Sequence, residues 1–270
     1  MALCSMRLAK TSATSAKLLY HLAPWWMIAS LTDCGNPLYL GSDLIWSARL
    51  ESGDLAEWSG DSPRFADPAD AANVRVSDAR ARSGHYALSI TRPPSNVEGG
   101  PAVGHSVGTN EAYYGAWLYV PDDFPVKTYW AVLELRSLGT AADPGALQEG
   151  IDIRLRKLPG GQFMLYVFQH EGEYLQAPLV DPPALVPVGR WFQVEVFFRL
   201  ASDPSGALQV WLDGRLVYDL PSRATGRGLR PWLGVSSVSA DDGTTSLNLF
   251  ADDVTISYSR ATPNELLDRP

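Results

Sequence analysis

The chain has 270 residues, 46% of them hydrophobic and 19% charged, enough for one large sandwich or barrel with a substantial core. A net charge of −8 argues against a general binder of nucleic acid or of an anionic membrane surface. The two cysteines, Cys4 and Cys34, both lie near the N-terminus, which excludes a disulfide framework and a thiolate metal site from the remaining chain.

The N-terminus differs in character from the remaining chain. Arg7, Lys10 and Lys17 lead into "LLYHLAPWWMIASLTDC", the basic-then-apolar order of a secretory leader. His21 and Pro24 interrupt the apolar run, so it is a poor transmembrane helix. Cys34 after "SLTD" resembles a bacterial lipoprotein cleavage site, although Asp33 stands where a small residue is usual. Residues 1–43 are expected to be leader and linker, and the protein to be secreted or held in the cell envelope. A lipid at Cys34 would be its membrane contact.

From Leu44 onward the signal is strands. "NVRVSD" (73–78) and "HYALSI" (85–90) come first, then "YYGAWLYV" (113–120), which Pro121 ends. "YWAVLELRS" (129–137), "GIDIRLRKL" (150–158) and "QFMLYVFQH" (162–170) come after it. Next are "RWFQVEVFFRL" (190–200), "ALQVWLDG" (207–214), "RLVYDL" (215–220), "PWLGVSSV" (231–238) and "LNLFADDVTISY" (247–258). Gly- and Asp-rich turns separate them, and Asp213-Gly214 marks a tight hairpin. A short helix fits only within "TPNELLDR" near the end. Hairpin spacing without a βαβ rhythm predicts an all-β, two-sheet antiparallel sandwich over 44–263, with 264–270 as a tail.

Alternation separates the faces. Phe192, Val194, Val196 and Phe198 share one face, and Gln193, Glu195, Phe197 and Arg199 the other. Ile151, Ile153 and Leu155 oppose Asp152, Arg154 and Arg156. Strict alternation places Ala131, Leu133 and Leu135 opposite Trp130, Val132, Glu134 and Arg136. Tyr113, Trp117 and Tyr119 oppose Leu118 and Val120. The second face of several strands thus mixes Trp and Tyr with Arg and carboxylates. Aromatic rings stack on the apolar faces of sugars, and planar charged groups bind hydroxyls, so this face is read as a polysaccharide-binding surface.

Several segments resemble the concanavalin A-like jelly-roll domains of bacterial polysaccharide lyases of the heparin lyase I and LamG-like kind. They are "RLESGDLAEWSG" (49–60), "ARSGHYAL" (81–88), "YYGAWLYVPDDFP" (113–125), residues 189–219 with their "WLDG" turn, and "FADDVTISYSRATP" (250–263). The resemblance implies a jelly roll. It also implies one structural calcium away from the groove, held by Glu51 and Asp253 with Asp252 as a further ligand. Carboxylates and carbonyls suit calcium's six to eight oxygens.

A retaining glycosidase on this fold would carry an E-x-D-x-x-E strand. "EGIDIRL" has Glu149 and Asp152, but no second Glu follows. A Ser nucleophile has no clear triad partners in the sequence, and no phosphate-cradling Gly loop or zinc cluster is present in it. A lyase needs a base for the proton α to a uronate carboxylate, a group that neutralises that carboxylate, and an acid for the leaving oxygen. His170, Tyr174, Gln169 and Arg154 are the candidate catalytic residues. Trp117, Tyr119, Trp130, Glu134, Arg136, Arg156 and Tyr166 are the candidate substrate-binding residues, all expected along one open groove. The resulting reading is a monomeric, exported, lyase-like protein acting on uronate polysaccharide by β-elimination. A non-catalytic carbohydrate-binding module and a structural or adhesion sandwich are the alternatives.

Overall fold

The computed structural model describes residues 43–58, 65, 67–95, 98–122, 129–140, 142–143, 145–170, 175–176, 181–239, 244 and 246–260. The expected leader, Cys34, Tyr174 and the C-terminal tail lie outside them. In chain order the strands are β1 (Leu44–Ala48), β2 (Val74–Ser77), β3 (Ala87–Arg92), β4 (Ala102–Ser106) and β5 (Glu111–Tyr119). They continue as β6 (Tyr129–Leu138), β7 (Leu147–Lys157), β8 (Phe163–Gln169), β9 (Leu175–Gln176) and β10 (Leu185–Val186). The last are β11 (Trp191–Arg199), β12 (Ala207–Leu212), β13 (Arg215–Leu220), β14 (Arg230–Ser239) and β15 (Leu247–Ser257). Two 3-10 turns, Ala56–Trp58 and Pro68–Asn73, interrupt them. No helix among the described residues is long and apolar enough to cross a membrane.

All strand pairs are antiparallel and fall into two sheets. The first runs β13-β12-β11-β5-β15-β3-β2, with β1 also on β15; the second runs β10-β8-β7-β6-β14-β4, with β9 on β8. The two-sheet antiparallel sandwich expected from the strand pattern is the observed architecture. Phe192, Val194, Val196 and Phe198 on β11 are fully buried, as are Leu118, Leu133, Ile153 and Leu249 from other strands. Burial of each such side chain contributes roughly 1.5–3 kcal/mol. The Asp-Gly hairpin forms as its sequence requires: Asp213 and Gly214 take φ of 47° and 78°, the left-handed pair that matches the twist of β12 and β13.

Two of the departures from simple alternation bear on the candidate residues. On β6 the register with β7 shifts between Ala131 and Leu133, so one extra residue sits there. A one-residue bulge exchanges the faces of everything beyond it. Trp130 therefore points into the core, where it is fully buried and donates from Nε1 to Ser237 Oγ at 3.0 Å. On β15 a bulge lies between Asp252 and Thr255, with Asp253 at φ 47°. There β15 passes from pairing with β3 (through Ala251) to pairing with β1 (from Val254).

The aspartates fill that handover. Asp252 is fully buried and its Oδ2 accepts from the backbone N–H of Arg82 (2.8 Å) and Ser83 (3.1 Å). Asp253 Oδ2 accepts from the Arg82 guanidinium at 2.6 Å, and its Oδ1 from Ser83 Oγ at 3.1 Å. Glu51 accepts from the N–H groups of His85 and Tyr86 in the same turn. These carboxylates replace missing ladder bonds. Asp253, an expected calcium ligand, is paired with the Arg82 guanidinium, and no group of three His, Cys, Asp or Glu that could hold a metal ion occurs among the described residues.

Candidate active site

Outward-facing positions on β6, β7 and β8 build a charged cluster on the second sheet. Glu134 lies opposite Asp152 across the β6–β7 pair, and Asp152 lies opposite Phe168 across β7–β8. His170, just past β8, continues the ladder through its N–H to Gly150 O at 2.8 Å, which keeps its ring on the same face. Residues one strand apart at these positions lie close enough for side chains to meet.

Asp152 is the hub. Its Oδ2 accepts from Arg154 Nε (2.9 Å) and Nη2 (2.7 Å), and lies 2.7 Å from His170 Nε2. Its Oδ1 is 3.4 Å from Arg136, whose Nε donates to Glu134 at 3.1 Å. The Arg154 guanidinium is sandwiched between the rings of Tyr129 and Phe168, at 4.0 Å and 3.8 Å from their centroids. The Tyr129 hydroxyl in turn donates to Glu98. A carboxylate only accepts, so Nε2 of His170 carries the proton toward Asp152 and Nδ1 keeps the lone pair. The 3.1 Å approach of Arg154 Nη2 to His170 Nε2 is then two donors converging on one oxygen.

Burial differs sharply within the cluster. Asp152 is 1% exposed, whereas the side chain of His170 is 17% exposed, so the ring is the reachable member. Burial alone would raise Asp152, but the His170 hydrogen bond and the charges of Arg136 and Arg154 outweigh it and hold the carboxyl below its usual range. Glu134 moves the other way: burial raises it more than Arg136 lowers it. Burial also raises Tyr166, with Arg154 opposing.

Of the residues singled out in the sequence, His170, Arg154, Glu134 and Arg136 meet here. Tyr166 lies opposite Arg154 on β8, and Arg156 lies on the same face of β7, exposed. Four others do not join. Gln169 faces the opposite way, accepting from Arg223 and donating to Ala224 O, because alternation turns it from His170's face. Trp130 is in the core because of the β6 bulge. Trp117 and Tyr119 are on β5 of the other sheet, on its outer face, where Arg82 and Arg80 each stack 3.9 Å over their rings. One groove holding Trp117, Trp130 and His170 therefore does not exist, and Trp117 gives no support to a catalytic His170. The support comes from Asp152, whose alternation with Arg154 and Arg156 was visible but unassigned. Alternation places Phe168 on the face of His170, whereas nothing in the local spacing of Tyr129 and Glu98 marks them.

No family model and no curated protein match the sequence. Solved structures match the fold. An endo-β-1,4-glucuronan lyase from the fungus Trichoderma reesei has 17% identity and a TM-score of 0.57, over 82% of this chain and 99% of that one. An alginate lyase solved with alginate tetrasaccharide has 15% identity and a TM-score of 0.58, over 80% and 98%. A PL-14 alginate lyase from Aplysia kurodai has 12% identity and a TM-score of 0.55, over 81% and 100%. The chain has the jelly-roll fold of these lyases.

Proposed function

We propose that this protein is a secreted polysaccharide lyase that cleaves uronate-containing chains by β-elimination at the cluster around His170. The observation that carries the reading is the 2.7 Å contact between Asp152 Oδ2 and His170 Nε2. It aims an imidazole with a free lone pair outward from a surface rich in guanidinium groups. The fold likeness to lyases of glucuronan and alginate supports the same substrate class.

In this scheme His170 Nδ1 takes the proton α to the uronate carboxylate. The C–H electron pair becomes the new C=C bond, the glycosidic C–O bond breaks, and the leaving oxygen takes a proton. In the same scheme Arg156, exposed beside Tyr166, neutralises the carboxylate whose α-carbon loses the proton. Asp152 keeps His170 in the productive tautomer, and Arg154 holds Asp152 ionised. Tyr166 is the candidate acid for the leaving oxygen, since burial keeps its hydroxyl protonated. The deciding experiment is incubation with a panel of uronate polysaccharides, read by the ultraviolet absorbance of the unsaturated uronate end. Growth of that absorbance on at least one polymer is expected. Binding without it on every polymer would make the protein a carbohydrate-binding module instead.

A further inference from the structure

The outer face of the first sheet holds an aromatic surface that the lyase scheme does not use. Strand register sets five residues in one row across it: Arg75 on β2, Ser89 on β3, Phe250 on β15, Tyr119 on β5 and Trp191 on β11. At the usual strand spacing the row is about 19 Å long. The three rings alternate along their strands with the buried Leu249, Leu118 and Phe192, so all three point away from the core. Tyr119 meets Trp191 edge to face with centroids 5.6 Å apart, and Phe250 likewise at 6.3 Å. Arg80, from the turn between β2 and β3, lies 3.9 Å over the Tyr119 ring and 5.9 Å from that of Phe250. Tyr119 and Phe250 are buried beneath it, whereas Trp191 is half-buried and Arg80 itself exposed.

Charge pairing singles out Arg80. On the same sheet Arg82 lies over Trp117, Arg260 over Trp211 and Arg199 over Phe197, and each is ion-paired, with Asp253, Glu195 and Glu111 respectively. None of the described residues, Asp78 in the same turn included, gives Arg80 an ion pair or a hydrogen-bond acceptor. The same holds for Arg75, exposed at the end of the row. In a chain of net charge −8, two guanidinium groups without carboxylates on one row form a local positive stripe. The rings beneath Arg80 hold it in place, so its planar set of N–H donors is ready for a carboxylate before any ligand arrives. Trp191 beside it offers a ring to the apolar face of a sugar. A neutral sugar would leave the arginines unanswered, and a small anion would leave Trp191 unused. We infer that this row is a non-catalytic binding site for an acidic polysaccharide, on the sheet that does not carry His170. That the polymer is acidic rests on the arginines; that it is the uronate substrate itself rests on the lyase reading.

The test measures how far gels containing polyglucuronate, or the same polymer with its carboxyl groups reduced, retard the full chain at one salt concentration. The starting protein is Arg156→Gln/His170→Ala, so that the polymer stays intact and the His170 cluster holds it less. This protein is expected to be retarded by polyglucuronate and not by the reduced polymer. Adding Arg80→Gln should weaken the apparent affinity roughly tenfold or more, the scale of one hydrogen-bonded charge pair. Adding Trp191→Ala instead should weaken it several-fold, and serves should Arg80→Gln fail to melt cooperatively. Arg215→Gln, an equal change of charge at an exposed position on β13, should leave it within about twofold. No retardation of the starting protein, equal retardation by the two polymers, unchanged affinity on adding Arg80→Gln or Trp191→Ala, or an equal loss from Arg215→Gln would each overturn the site. Unsaturated product is read separately with the unsubstituted chain. Retardation that depends on Arg80 without product keeps this site and removes the lyase; product without such retardation does the reverse.

Discussion

Asp252 is a carboxyl displaced well above its ordinary range. Burial, reinforced by the charge of Asp253, pushes its pKa up to about 7, against hydrogen bonds from Ser83, Arg82 and Asp253. A carboxyl raised in the folded state binds protons more tightly there than when unfolded. Its contribution to stability is therefore lost as pH rises from its ordinary range, near 3.8, toward about 7. Asp252→Asn should flatten the melting-temperature profile over that window; a profile as steep as the wild type's would show that other groups set it. Asp152 has the opposite sign. Its lowered pKa contributes stability above the ordinary carboxylate range, lost as acid protonates it. The Tyr114 hydroxyl is a third case, buried in the core without a hydrogen-bond partner among the described residues. Removing an unsatisfied buried hydroxyl relieves a cost of about 1–3 kcal/mol, so Tyr114→Phe should raise the melting temperature. A lower melting temperature would mean that the hydroxyl is satisfied after all.

Strands and their periodicity were readable because a half-buried strand must alternate, and β5, β7, β8 and β11 do. Bulges were not, since one extra residue leaves the composition of a strand unchanged while exchanging its faces. That is why Trp130 looked like a sugar platform and is core. Trp130→Ala should cost about 3–5 kcal/mol, as removal of a large core aromatic does, and should lower stability far more than Trp117→Ala on the outer face. Similar losses from the two changes would mean that β6 lacks the bulge. The β15 bulge misleads in a second way. "FADDVT" resembles a calcium-binding strand in sequence, yet Asp253 pairs with Arg82, 171 positions away in the chain, and with Arg49 at 3.9 Å. Arg82→Ala should lower the melting temperature and a calcium chelator should leave it unchanged. A chelator-sensitive melt would restore the metal.

At the scale of the whole molecule, the sandwich separates two surfaces that the sequence could not separate. Alternation tells which side chains leave the core but not which sheet a strand joins. Trp117 and His170 are therefore both outward and on different sheets, and that comes only from the pairing of β5 with β11 and β15, and of β7 with β6 and β8. What remains on the second sheet is a compact ionic cluster with one partly exposed imidazole. In the lyase scheme His170 acts there as a base rather than as a strut in an ion-pair network. Turnover and binding of one uronate polysaccharide by His170→Ala, measured beside the wild type, test this most directly. The expected result is turnover reduced by about 10²–10⁴-fold with binding retained within a few-fold. Turnover within a few-fold of the wild type, in a variant that still melts cooperatively, would contradict it.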